Sequence, residues 1–260
     1  MFNLPYQVAL EGALVFIRVS GILFAMPVFG DQSTPIRVRI LLSAAIAFLI
    51  YPMIESHWVR DFPKDLLGFF VLVLKELMIG LLIGYVAKLA MEALTAAATI
   101  VGFQMGFGMA NMVMPNADYM MDAFTAFHRS LIILFFLALD LHHIYISAIV
   151  DTFRAIPSGE AIFRAEIGSY LIRITSDLFI IAIKLAAPVL IALLFAMAAL
   201  GLIARTVPQV QVFVLSFPIS FFIGLLVYIA TIPFFPQWIK LHFSVNQQQI
   251  FTIIRGMIPS

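Results

Sequence analysis

Ionisable side chains inside apolar segments are the residues of this sequence whose types could support chemistry. Several of them interrupt long apolar runs, among them Glu11, Arg18, Lys75, Glu76, Lys88, Asp140, Asp177 and Lys184. Because a charge at the centre of an isolated membrane helix costs roughly 2.5–3.5 kcal/mol, such residues tend to face protein, water or one another. Glu11 and Arg18 are seven residues apart, as are Asp177 and Lys184, so each pair lies on one helix face. Two interpretations stay open, namely structural ion pairs or snorkelling near helix ends, and a path for protons or ions.

The histidines raise the question of a metal site. His142 and His143 follow Asp140 in "ALDLHHIYI", and His128 lies further upstream. Adjacent helical residues point about 100° apart, whereas zinc-binding helices use the i, i+4 spacing of H-E-x-x-H. That spacing is absent from the sequence, and there is no cysteine to supply a thiolate. We therefore expect no metal site and no cofactor, and we keep an intramembrane zinc enzyme around the three histidines as a third alternative.

The composition indicates which elements must position these residues. Hydrophobic residues make up 63% of the 260-residue chain and charged residues 11%, and the mean hydropathy is +1.08. A soluble domain has about 45–50% apolar and about 25% charged residues, so we expect an all-α integral membrane protein. The net charge of +1 gives no electrostatic reason to expect nucleic-acid binding.

Apolar runs of helical length cover most of the sequence, since a span needs about 20 residues. The predicted runs are 8–29, 40–53, 66–90, 93–112, 125–150, 171–203 and 210–235. Run 171–203 is too long for one straight crossing, and Pro188 is expected to bend or divide it. The more polar tail after Gln237 predicts a short amphipathic helix. The connections do not resemble domain linkers, so we predict one domain over residues 1–260.

A glycine- and methionine-rich strip occupies the end of the fourth run and continues to Pro115, in "VGFQMGFGMANMVMP". Gly106 and Gly108 loosen the helix, and Pro115 prevents it from resuming soon. Methionine is unbranched and polarisable, and it fills irregular gaps. The strip is interpreted either as flexible core filler or as a closure that moves aside for a bulky guest. A separate glycine pair, Gly80 and Gly84, has the G-x-x-x-G spacing that favours close helix packing.

Four colinear blocks give the chain a resemblance to a known family. They are "TPIRVRILLSAAIAF" (34–48), "GFQMGFGMANMVMP" (102–115), "LFFLALDLHHIYISAIVDTFRAIPSG" (134–159) and "ALGLIARTVPQVQVFVLSFPISFFIGL" (199–225). Together they resemble the FliR/SctT family of type III secretion export-gate components. Two positions depart from the family pattern. Met114 stands where Asp is common, and Asp140-Leu141 replaces a more usual Asn-Gly.

The resemblance implies kinked helical hairpins, with a FliP-like portion over about 1–165 and a FliQ-like portion over about 166–260. It implies a hetero-oligomer with FliP-like and FliQ-like subunits and an FlhB-like protein, in the flagellar basal body of the bacterial inner membrane. The implied function is non-enzymatic: the subunit helps to form and seal the conduit for unfolded flagellar substrates. The alternatives are the equivalent subunit of a virulence injectisome, and an ion- or proton-coupled secondary transporter that uses Asp177, Lys184 or Glu11.

The family likeness also implies roles for three groups of residues. The pore plug would comprise Gly106, Phe107, Gly108, Met109, Met112, Val113 and Met114. A hairpin tip at the entrance would comprise Arg205, Pro208, Gln209 and Gln211. The charges expected between subunits are Glu11, Arg18, Lys75, Glu76, Asp177 and Lys184.

Overall fold

The described part of the chain is helical and contains no strand. The computed structural model describes residues 3–27, 29–30, 34–54, 63, 65–107, 123–206 and 212–258. The helices within these residues are α1 (Asn3–Ala25), α2 (Ile36–Ile50), α3 (Leu66–Gln104), α4 (Ala123–Ala138), α5 (His142–Ala155), α6 (Ala165–Thr206), α7 (Val212–Thr231) and α8 (Phe235–Met257). Short 3-10 turns at Tyr51–Met53 and Ile232–Phe234 follow α2 and precede α8. The prediction of an all-α protein is confirmed.

Several predicted helix boundaries are wrong, and each has a local cause. Runs 66–90 and 93–112 form one helix as far as Gln104, because no glycine or proline separates them between Ala90 and Ala93. The run 125–150 is instead two helices, since Asp140 adopts a left-handed φ of +55° between them. The division expected at Pro188 does not occur, and α6 continues through it. Proline removes only one N–H donor, and the helix on either side keeps its own bonds. The C-terminal helix is longer than expected, at 23 residues.

Membrane-spanning capacity is widespread in the described residues. Five helical stretches are long and apolar enough to cross a bilayer: Val8–Ala25, Ile36–Met53, Leu66–Gln104, Ala165–Thr206 and Leu215–Met257. α4 and α5 add a sixth if they form one broken span. The prediction of an integral membrane protein is therefore supported by the helices themselves as well as by composition.

The chain contains two compact units, each built from separate stretches of sequence. Unit 1 comprises Met1–Ala90, Asp140–Ile174 and His242–Ser260, and unit 2 comprises Met91–Leu139 and Thr175–Leu241. This interleaving differs from a simple division near residue 165. The correspondence of 1–165 to a FliP-like portion and of 166–260 to a FliQ-like portion stays a prediction.

α1 and α3 cross in unit 1 at a contact between their backbones. A Cβ built on Gly80 would lie 2.5 Å from the carbonyl oxygen of Arg18 and 3.0 Å from the Cα of Gly21. A Cβ on Gly84 would lie 2.6 Å from the carbonyl oxygen of Ile22. No side chain fits at either position, so the G-x-x-x-G face predicted for helix packing is confirmed. The close approach brings the side chains one turn away on α1 and α3 into direct contact.

Candidate functional site

α3 ends at the predicted plug in a Schellman motif. Gly106 has a φ of +96°, and its N–H donates to the carbonyl oxygen of Phe103 at 3.1 Å. The N–H of Phe107 donates to the carbonyl oxygen of Gly102, also at 3.1 Å. These two bonds satisfy carbonyl groups that a helix end otherwise leaves without donors. Only glycine adopts this left-handed conformation without a Cβ penalty, so Gly106 determines where the helix ends and the strip begins.

Phe107 and its neighbours form a cluster of rings in unit 2. The Phe107 ring lies 6.0 Å from the Phe124 ring, centroid to centroid, at an interplanar angle of 24°. It lies 5.6 Å from the Phe221 ring in an edge-on arrangement. A Cβ built on Gly106 would lie 2.6 Å from Cδ2 of Phe217. We call Phe107, Phe124, Phe217 and Phe221 the aromatic anchor, because they hold the first residues of the strip against α4 and α7.

The anchor rests on further buried contacts in unit 2. Met105 is fully buried, and its Cγ lies 2.6 Å from where a Cβ on Gly224 would stand. His128 Nδ1 and the Tyr228 hydroxyl are 2.7 Å apart and hydrogen-bonded. Tyr228 also meets the Phe124 ring edge-on at 4.8 Å. The end of α3 and the side of α4 are thus both packed on α7.

The anchor residues outside the strip were not predicted from the sequence. A signal for them exists in the spacing, since Phe217 and Phe221 are four residues apart, as are Phe124 and His128. That spacing places each pair on one helix face, but it does not say which helix the face meets. The other predicted plug residues lie outside the described residues: Gly108, Met109, Met112, Val113 and Met114.

A buried ion pair lies in unit 1, next to the glycine crossing. Arg18 Nε and Glu76 Oε2 are 2.6 Å apart, and both side chains are 0% exposed. Arg18 Nη1 also donates to the carbonyl oxygens of Thr152 and Ile156, at 3.0 and 3.1 Å. The guanidinium carbon lies 4.7 Å from the centroid of the Phe153 ring. Arg18 therefore joins α1 to α3 and to the C-terminal end of α5.

Glu76 is held from the opposite side by the segment after α5. Its Oε1 accepts hydrogen bonds from the Ser158 hydroxyl at 2.8 Å and from the Gly159 N–H at 3.2 Å. The neighbouring Lys75 is half-buried, and its Nζ donates to the Gly159 carbonyl oxygen at 2.8 Å. Arg18 and Glu76 were expected to face a neighbouring subunit. They instead pair with each other inside the chain, where both side chains are fully buried.

The remaining predicted charges are more accessible. The Tyr51 hydroxyl donates to Glu11 Oε2 at 3.1 Å, and Glu11 is half-buried. Asp177 is half-buried and Lys184 is exposed, and neither makes a hydrogen bond or ion pair with another described residue. Their role between subunits stays a prediction. Of the predicted entrance residues, Arg205 is exposed in the last turn of α6, and the others lie outside the described residues: Pro208, Gln209 and Gln211.

Comparison with known proteins identifies relatives along nearly the whole chain. The family model described as "Bacterial export proteins, family 1" matches residues 9–245. The flagellar biosynthetic protein FliR of Caulobacter vibrioides is 32% identical over 86% of this chain and 88% of its own length. The proteins of the same name from Bacillus subtilis and Escherichia coli are 31% and 30% identical, over 80% and 93% of this chain and 80% and 90% of their own lengths. The chain belongs to the bacterial export proteins, family 1.

Proposed function

We propose that this protein is a structural and gating subunit of the flagellar type III protein export channel. It would help to form the conduit for unfolded flagellar substrates and keep that conduit sealed at rest. Membership of the export family and the naming of its relatives as flagellar biosynthetic proteins support the assignment. The observation that carries the gating role is the exit of α3 through Gly106 into a strip that starts on the aromatic anchor.

The dimensions and surface of the helices favour a role inside a larger membrane assembly. α3 has 39 residues and α6 has 42, which at 1.5 Å per residue gives about 58 and about 63 Å of helix. The hydrocarbon core of a bilayer is only about 30 Å thick. Large apolar side chains are nevertheless exposed along these helices, such as Leu66 at 86% and Leu202 at 69%. Apolar helix surface that extends beyond the lipid needs protein to cover it.

We infer that the covering proteins are FliP-like and FliQ-like subunits, with an FlhB-like protein at the entrance. The assembly would lie in the bacterial inner membrane, within the flagellar basal body. Exposed or half-buried charges such as Asp177 and Lys184 would then be matched by partner subunits rather than by lipid.

The gating mechanism that we propose is closure by packing and dewetting. A constriction lined by apolar side chains excludes ions because it leaves them no hydration. Met109, Met112 and Met114 would supply this lining, and a passing polypeptide would displace them because methionine repacks readily. Gly106 gives the strip a fixed starting point, and the aromatic anchor keeps its first ring in place. No acid–base or nucleophilic step is needed, so we propose a non-enzymatic role without a cofactor.

The experiment separates the strip from its anchor. Deletion of residues 108–114 leaves Gly106 and Phe107 in place, and it should let the assembled export complex leak ions across the membrane. Replacement of Met109, Met112 and Met114 by serine should have the same effect, whereas replacement by leucine should preserve the seal because leucine is apolar and of similar volume. The readout is membrane conductance, with assembly checked by co-purification of the partner subunits. If the deletion complex assembles and conducts no more than the wild type, the gating proposal is wrong.

A further inference from the structure

The turn between α4 and α5 brings three potential metal ligands together. Asp140 adopts a left-handed φ of +55°, and the turn is closed by a hydrogen bond from the His143 N–H to the Asp140 carbonyl oxygen at 3.1 Å. Leu141 is only 3% exposed and packs inward. Asp140 and His143 are exposed and His142 is half-buried, so the three polar side chains lie at the surface around a buried leucine.

The ligand atoms of these side chains converge. One carboxylate oxygen of Asp140 and one ring nitrogen each of His142 and His143 all lie within 4.8 Å of one another. The two imidazole rings are 4.3 Å apart, centroid to centroid, and inclined by 55°. Since zinc binds nitrogen and oxygen at about 2.0–2.2 Å in a tetrahedral arrangement, two of its ligands stand about 3.3–3.6 Å apart. The ligand atoms, which lie within 4.8 Å of one another, therefore need to approach by at most about 1.5 Å, which side-chain rotations supply.

Both histidines lie in the first turn of α5, and the helical spacing considered in the sequence does not include the turn before them. Asp140 adopts its left-handed conformation in that turn, and its carboxylate lies within 4.8 Å of a ring nitrogen of each histidine. The N-terminal end of a helix carries partial positive charge and disfavours a cation. The negative charge of Asp140 offsets this effect at the same end.

We propose that Asp140, His142 and His143 form a surface site for a divalent transition-metal ion such as Zn²⁺. Two imidazoles and one carboxylate suit zinc, nickel and copper, whereas magnesium and calcium prefer ligand sets made of oxygen. Three protein ligands leave coordination positions for water, and the exposed Asp140 and His143 make the site accessible to an ion in the isolated chain. A bound ion would fix the turn that separates α4 from α5. The site goes beyond the proposed export function, and its test does not use export.

The test uses the full chain, purified in detergent with an affinity tag that contains no histidine. Equilibrium dialysis against Zn²⁺, followed by elemental analysis, should show one retained ion per wild-type chain. Substitution of residues that only hydrogen-bond to the metal ligands weakens metal affinity about 10–100-fold. Loss of a ligand itself in H143Q should therefore weaken Zn²⁺ binding at least about tenfold. D140N should do the same while preserving the turn, because asparagine also tolerates the left-handed conformation. D151N changes a carboxylate on the same helix that lies 3.9 Å from Arg154, and it should leave Zn²⁺ binding unchanged.

A second measurement does not depend on the folding of variants. Cu²⁺ bound to the wild-type chain should show electron paramagnetic resonance couplings from two imidazole nitrogens, and H143Q should show one. Helix content and elution volume identify any variant that fails to fold. The proposal is overturned if the wild type retains no more Zn²⁺ than an H142Q/H143Q variant, or if D140N and H143Q bind it as tightly as the wild type. Copper spectra without two nitrogen couplings in the wild type would also overturn it.

Discussion

Substitution of Glu76 by glutamine should destabilise the protein far more than its small change in shape suggests. The two carboxylate oxygens face donors on both sides, with Arg18 Nε at Oε2, and with Ser158 Oγ and the Gly159 N–H at Oε1. A glutamine has one carbonyl oxygen and one NH₂ group. Whichever way the amide turns, its NH₂ faces donors, so at least one buried donor loses its acceptor at a cost of about 1–3 kcal/mol.

The charge of Arg18 increases this cost. The guanidinium is 0% exposed, and E76Q removes the negative charge that lies 2.6 Å from its Nε. Removing one partner of a buried ion pair typically costs about 3–5 kcal/mol. At about 2–4 °C per kcal/mol for a chain of roughly this size, E76Q should lower the unfolding temperature by roughly 6–20 °C. The assay is loss of the monodisperse elution peak after heating in detergent.

Two further variants make this reasoning refutable. Replacing both partners by apolar residues, R18M with E76L, should recover part of the loss, because buried pairs can often be replaced by apolar residues at little cost. The recovery is only partial because the Ser158 hydroxyl and the Gly159 N–H still lose their acceptor. The matched control is K75Q, on the adjacent half-buried residue, which should change stability by about 1 kcal/mol or less. If E76Q unfolds within the range of K75Q, or if the double variant is less stable than R18M alone and E76L alone, the buried ion pair does not stabilise the fold.

Three other predictions follow from single contacts. G106A should lower the unfolding temperature and raise membrane conductance. A left-handed residue with a side chain costs about 1–2 kcal/mol, and the new methyl group would meet the Phe217 ring. Unchanged values in both assays would contradict the role of Gly106. N246L should lower the free energy of unfolding by about 1–3 kcal/mol, because it removes Asn246 Oδ1, which accepts the hydrogen bond of the buried Tyr145 hydroxyl at 2.9 Å. Hydrogen exchange of the α8 amides should become faster, and unchanged protection would contradict this prediction. D177N and K184Q should leave the heat stability of the isolated chain unchanged but reduce co-purification with the proposed FliP-like and FliQ-like partners. Loss of ion coupling in an intact assembly would instead favour a transporter.

Features that depend on local sequence were predicted well. The apolar composition indicated a helical membrane protein, and Gly80 and Gly84 indicated a close helix crossing. The first follows from residue types alone. The second follows from spacing within about one turn of helix, which determines that the two glycines share a face. Gly106 was likewise recognised as a point where the helix loosens, and its left-handed φ ends α3 there.

Features that depend on distant parts of the chain could not be predicted in the same way. Arg18 and Glu76 are 58 residues apart, and the sequence indicated pairing with a neighbouring helix or subunit without identifying the partner residue. The proximity of Asp140 to His142 and His143 depends on one backbone angle. Aspartate tolerates the left-handed conformation but does not require it, so residue type alone does not indicate the turn.

The two units differ in the kind of contact that fixes their central residues, and this difference bears on the proposed gate. In unit 1, the buried pair of Arg18 and Glu76 makes directional hydrogen bonds, and breaking it costs about 3–5 kcal/mol. In unit 2, Phe107 is held by two ring contacts, each contributing about 0.5–1.5 kcal/mol beyond the buried area. Release of that ring therefore costs about 1–3 kcal/mol for the two contacts together, in addition to the cost of exposing its buried apolar area. A passing polypeptide that covers this apolar area while it displaces the strip would offset the second cost, so the seal would open by local displacement rather than by unfolding.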